Sequence, residues 1–112
     1  MSREEMKNIE RLEIMEEKLN VSIEGIYAKY AKYDEDSRYI TVTGEIHASS
    51  GTTIEEDIEI IVTAYNSEGK VIATASDYIY ADDFFALSPI EICLDVIEKP
   101  TKIRVYPTKC SI

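Results

Sequence analysis

The sequence predicts a mainly β protein: an antiparallel two-sheet sandwich of about six or seven strands over residues 21–112, preceded by an amphipathic helix over residues 1–20. Three observations predict it. Beyond Val21 apolar residues recur at every second position, and β-branched and tyrosine content rises. Turn-forming clusters punctuate that pattern at roughly 10-residue spacing. Before it, no Gly or Pro interrupts Ser2 to Leu19, and apolar residues there fall at three- and four-residue intervals.

The helix is read first. Ser2 followed by Glu5 has the spacing of a capping box. At about 100° per residue Met6, Ile9, Leu12, Met15 and Leu19 share half the circumference, with Ile14 outside the arc. That stripe must lie on its own domain, on a partner, or on a second copy of the chain. Residues 21–32 also satisfy helical spacing at Ile23, Ile26, Tyr27 and Tyr30; Gly25 and an available hairpin partner favour a strand. Asp34-Glu35-Asp36-Ser37 is the turn. From Tyr39 to Ala48 the alternation is clean, with Ile40, Val42 and Ile46 inward and Thr41, Thr43, Glu45 and His47 outward.

Ser49 to Thr53 is a loop by composition. A strand from Ile54 to Tyr65 turns at Asn66-Ser67-Glu68-Gly69 and returns from Lys70 to about Tyr80. Asp82-Asp83 ends it and Phe84 to Leu87 crosses over. Ser88-Pro89 opens the next strand, with Ile90, Ile92, Leu94 and Val96 inward. Glu98 to Thr101 turns into a last strand carrying Ile103 and Val105 inward, which Pro107 ends or marks as an edge.

At 112 residues the chain fits one domain and needs neither metal nor disulfide to fold. Its net charge of −10, with no basic stripe, opposes nucleic acid and anionic membrane surfaces. No apolar run reaches the roughly 18 residues of a spanning helix, so membrane insertion is not expected. The charged start, without an apolar export core, predicts a cytoplasmic protein, or an envelope protein if an export signal precedes Met1. Cys93 and Cys110 read as free thiols in a reducing compartment; an exported chain could bridge them.

Residues 39–106 carry a family resemblance. Val42-Thr43-Gly44-Glu45-Ile46, the strand Ile58 to Val62, and the run Thr63-Ala64-Tyr65-Asn66-Ser67-Glu68-Gly69-Lys70-Val71-Ile72 resemble the FxLYD domains, small immunoglobulin-like domains of bacteria and archaea. The name-giving stretch falls on Val62 to Asn66, where Tyr65 matches, Asn66 replaces Asp, and Val62 and Ala64 depart from Phe and Leu. Leu87-Ser88-Pro89 is similar to the pre-strand segment without its Gly. The resemblance implies an immunoglobulin-like sandwich used as an accessory or interaction module, with no catalytic residues to carry over.

The residues themselves offer little chemistry. His47 is the one histidine and faces outward by parity, as does Cys93; a dyad would require their strands to be neighbours. One His and two scattered Cys have no transition-metal spacing, and the acidic turns Asp34-Glu35-Asp36 and Asp82-Asp83 lack the calcium loop pattern. No cofactor or metal is expected. The aromatic residues, eight Tyr and two Phe with no Trp, serve either the core or recognition. Charge is uneven: residues 34–59 hold eight acidic groups and one basic, residues 98–110 one acidic and four basic. The expected function is therefore non-enzymatic protein contact, with a partner or as a homodimer. Its candidate residues are Met6, Ile9, Leu12, Met15 and Leu19 on the helix, and Tyr78, Tyr80, Phe84 and Phe85 beyond. A calcium-stabilised envelope module and a small-ligand-binding or enzymatic domain centred on His47 are the alternatives.

Overall fold

The structure, a computed structural model, describes residues 2–110. Alternation along the chain produces eight strands there: β1 (Ser2–Met6), β2 (Ile9–Arg11), β3 (Val21–Lys32), β4 (Arg38–Ala48), β5 (Ile58–Tyr65), β6 (Val71–Ile79), β7 (Leu87–Asp95) and β8 (Lys102–Lys109). A short helix α1 (Glu13–Lys18) lies between β2 and β3. The strands form two four-stranded sheets, ordered β1-β3-β4-β7 and β2-β8-β5-β6. Every described ladder is antiparallel except β2 on β8, which is parallel.

The inward parities read from the sequence make the core. Ile23, Ile40, Val42, Ile46, Ile92 and Leu94 of the first sheet are buried with Ile58, Ile60, Val62, Ala64, Ile103 and Val105 of the second. Ile54, Phe84 and Val96, from the connections, join the same cluster. With no Trp, branched aliphatic side chains fill the interior, and of the eight tyrosines only Tyr30 is buried. The choice left open for the aromatics falls largely to the surface.

The N-terminal helix over residues 1–20 is overturned. Ser2 to Met6 instead extends the first sheet beside β3, with Glu4 opposite Tyr30 and Met6 opposite Ala28. Residues 7–8 cross to the second sheet, where β2 lies along β8 with Ile9 opposite Ile103. Only six residues, Glu13 to Lys18, are helical, capped at Leu12 without any side-chain bond. The physical reason is competition. An isolated helix of this length is marginal in water, whereas two sheet edges offer a full ladder of backbone partners. A three-residue interval between apolar positions also suits a chain that pairs, crosses over and pairs again. The strand count of six or seven rises to eight for the same reason.

β3 resolves the ambiguity of residues 21–32 through a bulge. Its register on β4 shifts between Glu24 and Tyr27, and Gly25 there has φ +61°. One extra residue flips the inward parity from Val21 and Ile23 to Ala28 and Tyr30. The helix-like spacing was the trace of that insertion. Opposite it, Gly44 leaves room: a Cβ there would lie 2.9 Å from Ile26 Cδ1. Pro107 lies inside β8 rather than ending it, paired with Ile60 of β5. β2 stops opposite Val105, so Pro107 occupies a stretch of β8 with one free flank, where a missing N–H is tolerated.

Candidate functional site

Alternation places on the outer face of the first sheet the residues that the core rejects. Tyr27, Lys29 and Ala31 of β3 register against Thr43, Thr41 and Tyr39 of β4, and these against Glu91, Cys93 and Asp95 of β7. Arg3 of β1 lies opposite Ala31 and Glu5 opposite Lys29. Tyr27, Tyr33 and Tyr39 are 43, 47 and 37% exposed, high for side chains of this size. Tyr33 and Tyr39 meet edge to face with ring centroids 5.4 Å apart, and the Lys29 ammonium lies 5.9 Å from the Tyr27 ring centre. Between them runs a shallow groove of about 270 Å³ floored by Ala31, Thr41 and Thr43. Aromatic rims hold it open because each ring packs on a neighbour rather than collapsing inward.

The outer face of the second sheet is built differently. Tyr65 is covered by Lys102 and Arg104, at 4.7 and 5.2 Å from its ring. Arg104 Nε donates to Glu10 Oε1 at 2.5 Å, and this hydrogen bond with the guanidinium charge holds the Glu10 carboxyl below the ordinary glutamate range. Its charges satisfy one another, which favours a closed surface over a receptive one.

The candidate residues divide. Met6 is buried, and Ile9 and Leu19 are packed half-buried against the core. Leu12 and Met15 are half-buried at the ends of β2 and in α1. The stripe is therefore largely consumed within the chain, and Ile14, outside the arc, is the exposed residue at 70%. Tyr78 and Tyr80 are exposed and stack at 6.3 Å. Glu59 beside Tyr78 raises its phenol above the ordinary value. Phe84 enters the core while Phe85 stands outside at 73% exposure. Ala86 follows with φ +67°, held by its N–H to Thr52 O and by its carbonyl accepting from Ala48 N–H.

The chemistry weighed in the sequence does not assemble. β4 and β7 are indeed neighbours, but Cys93 lies opposite Thr41 and His47 opposite Leu87. Six residues of strand put them about 20 Å apart. His47 Nε2 is instead 2.9 Å from Glu45 Oε1 on the open face. Cys93 and Cys110 are free. Asp34 Oδ1 accepts from the Asp36 N–H and Asp57 Oδ1 from the Ala81 N–H, so these carboxylates are engaged in holding turns. Among the described residues no three His, Cys, Asp or Glu side chains converge on a common point. Nor is any described helix long and apolar enough to cross a membrane.

Compared with family models, with curated proteins and with solved structures, the chain matches none of them.

The tyrosine-rimmed face escaped the sequence reading. Parity already sent Thr41 and Thr43 outward, but the bulge hid Tyr27 and Lys29 from the same rule. Only a period-2 count restarted after Gly25 would have found them.

Proposed function

We propose that the chain is a non-enzymatic interaction module with an immunoglobulin-like sandwich, contacting a protein partner through the outer face of its first sheet. The observation that carries the reading is the groove rimmed by the exposed Tyr27 and Tyr33, which also presents Arg3 and Lys29, with the exposed Tyr39 packed edge to face on Tyr33 beside it. Tyrosine and arginine are the side chains that anchor protein interfaces, because they bury much area at small entropic cost and keep a polar tip.

Strand order supports the immunoglobulin-like part. With β3, β4, β5, β6, β7 and β8 taken as A, B, C, C′, E and F, the neighbours A–B, B–E, C–F and C–C′ of that fold are all present. β2 then occupies the place beside F that strand G holds. This assignment also puts the FxLYD-like stretch Val62 to Asn66 at the end of strand C and its hairpin. An accessory role follows by analogy of fold, and the tyrosine face supplies the surface.

Affinity capture from the native host tests it, with the full chain and a Tyr27→Ser/Tyr33→Ser variant as baits. A partner retained by the first and lost by the second, at equal melting temperature, is the expected result. Each central Tyr removed should weaken binding about 30-fold, corresponding to about 2 kcal/mol. Identical captures would refute the assignment.

A further inference from the structure

The groove between Tyr27 and Tyr33 has a chemical bias that narrows what a partner can put into it, an inference that rests on the function proposed above. At Lys29 and Ala31, β3 is paired on both sides, to β1 and β4, and β4 there is paired to β3 and β7. An incoming strand therefore cannot add to the sheet at this floor, and recognition falls to side chains. Six lining side chains carry hydrogen-bond donors, Arg3, Lys29, Tyr27, Tyr33, Thr41 and Thr43, whereas Glu91 is the one described lining side chain that only accepts. Such a groove suits a ligand rich in acceptors and poor in donors. Its charge is also ordered. Arg3 lies opposite Ala31, toward the Tyr33 end, and Glu91 lies opposite Thr43, in the row of Tyr27. Those rows are four residues apart on β3, about 13 Å. Glu5 stands opposite Lys29 and outside the groove lining. Among the described residues Arg3 enters no ion pair, although the chain carries 22 acidic groups.

We propose that the groove receives a proline-rich segment of the partner in the polyproline II conformation, with an acidic residue of that segment on Arg3 and a basic one toward Glu91. That helix has no internal hydrogen bonds, so its carbonyls stay available as acceptors, and proline has no N–H to leave unpaired. Arginine, lysine and the four hydroxyls donate to those carbonyls. Pyrrolidine rings pack on the exposed faces of Tyr27 and Tyr33, the way aromatic-lined grooves hold such segments. At about 3.1 Å per residue, about six residues span the roughly 20 Å of chain from Tyr27 to Tyr33. The acidic and basic residues then stand about four positions apart, which matches the separation of the Arg3 and Glu91 rows. Because the segment is extended before it binds, little ordering cost is added.

Fluorescence anisotropy on the full chain tests it with labelled polyproline peptides that carry one aspartate and one lysine about four positions apart. The two charges are placed in both orders, to cover the two directions a segment can run, and a glycine–serine peptide with the same charges is the control. One proline peptide should bind at least about tenfold more tightly than the control, whose chain has to be ordered on binding. Tyr27→Ser and Tyr33→Ser should each weaken it about 30-fold. Arg3→Glu should weaken it about fivefold, the effect of an exposed ion pair, and replacing the peptide's aspartate by lysine should restore binding to that variant. Restoration requires a folded chain, so it separates recognition from unfolding. Equal affinity for proline and glycine–serine peptides, or an Arg3→Glu loss that the reversed peptide does not restore, would overturn the proposal. If neither proline peptide binds while the host partner is still captured through Tyr27 and Tyr33, this inference falls and the interaction face stands; capture indifferent to both tyrosines removes the face as well.

Discussion

Glu16 is the residue whose removal should cost most for its size. It is charged, 3% exposed, and sits in the six-residue α1. Its carboxylate takes two bonds from Arg11, from Nη2 at 2.6 Å and Nε at 3.1 Å, and a third from the Ile23 N–H at 3.0 Å. It thereby ties β2, α1 and β3 together at one end of the sandwich. Glu16→Ala leaves the buried Ile23 N–H without an acceptor, at about 1–3 kcal/mol. The Arg11 side chain is 33% exposed and can recover water, so the lost ion pair adds only about 1 kcal/mol rather than the several of a fully buried pair. The sum is about 3 kcal/mol, a large share of the 5–15 of a typical domain. At about 4 °C per kcal/mol for a chain of this size, the melting temperature should fall by about 12 °C. Differential scanning calorimetry measures it, with Glu16→Gln and Glu17→Gln as companions. Glutamine keeps an acceptor for Ile23 and should lose about 1 kcal/mol, while the exposed Glu17 should change by less than about 0.5. An alanine variant melting within 3 °C of wild type would refute the argument that this carboxylate is structural.

Two backbone positions should respond with opposite signs. Gly25→Ala must adopt φ +61° in open space and should lose about 1–2 kcal/mol by urea titration, whereas Ala86→Gly relieves φ +67° and should gain up to about 1 kcal/mol. No loss at position 25 would remove the bulge as the explanation of β3. Glu10 should titrate below the ordinary glutamate range by NMR, and Arg104→Ala should return it upward. Because the folded chain binds that proton less tightly than the unfolded one, the pair supports the fold at neutral pH. Its small contribution fades as pH falls through the depressed value. A Glu10 midpoint unmoved by Arg104→Ala would show the hydrogen bond does not set it.

The tyrosine face was partly legible. Strict alternation from Tyr39 to Ala48 already sent Thr41 and Thr43 outward, and the structure keeps them there, with Tyr39 on the same parity. Tyr27 and Lys29 join that face only because a single inserted residue at Gly25 reverses the parity of everything after it. Gly25 itself was visible, but a lone glycine does not state whether a strand bulges, bends or ends. Phe84 and Phe85 show the same limit: adjacent and identical in type, they part into core and solvent where the chain turns through the left-handed backbone of Ala86.

What the sequence alone determined is what local alternation encodes: two opposed inward faces from β4, β5, β7 and β8, and the turns between strands. A period of two is a property of neighbours a few residues apart, so no long-range information is needed to read it. Tertiary structure decided the N-terminus. Met6, Ile9, Leu12, Met15 and Leu19 are apolar in either account, and their spacing satisfies a helix as readily as two short strands and a turn. The difference lies in partners about 26 and 94 residues away, Tyr30 opposite Glu4 and Ile103 opposite Ile9. An unpaired sheet edge offers backbone hydrogen bonds and a place for Met6 in the core at once. No arrangement confined to residues 1–20 can match that, and nothing confined to them announces it.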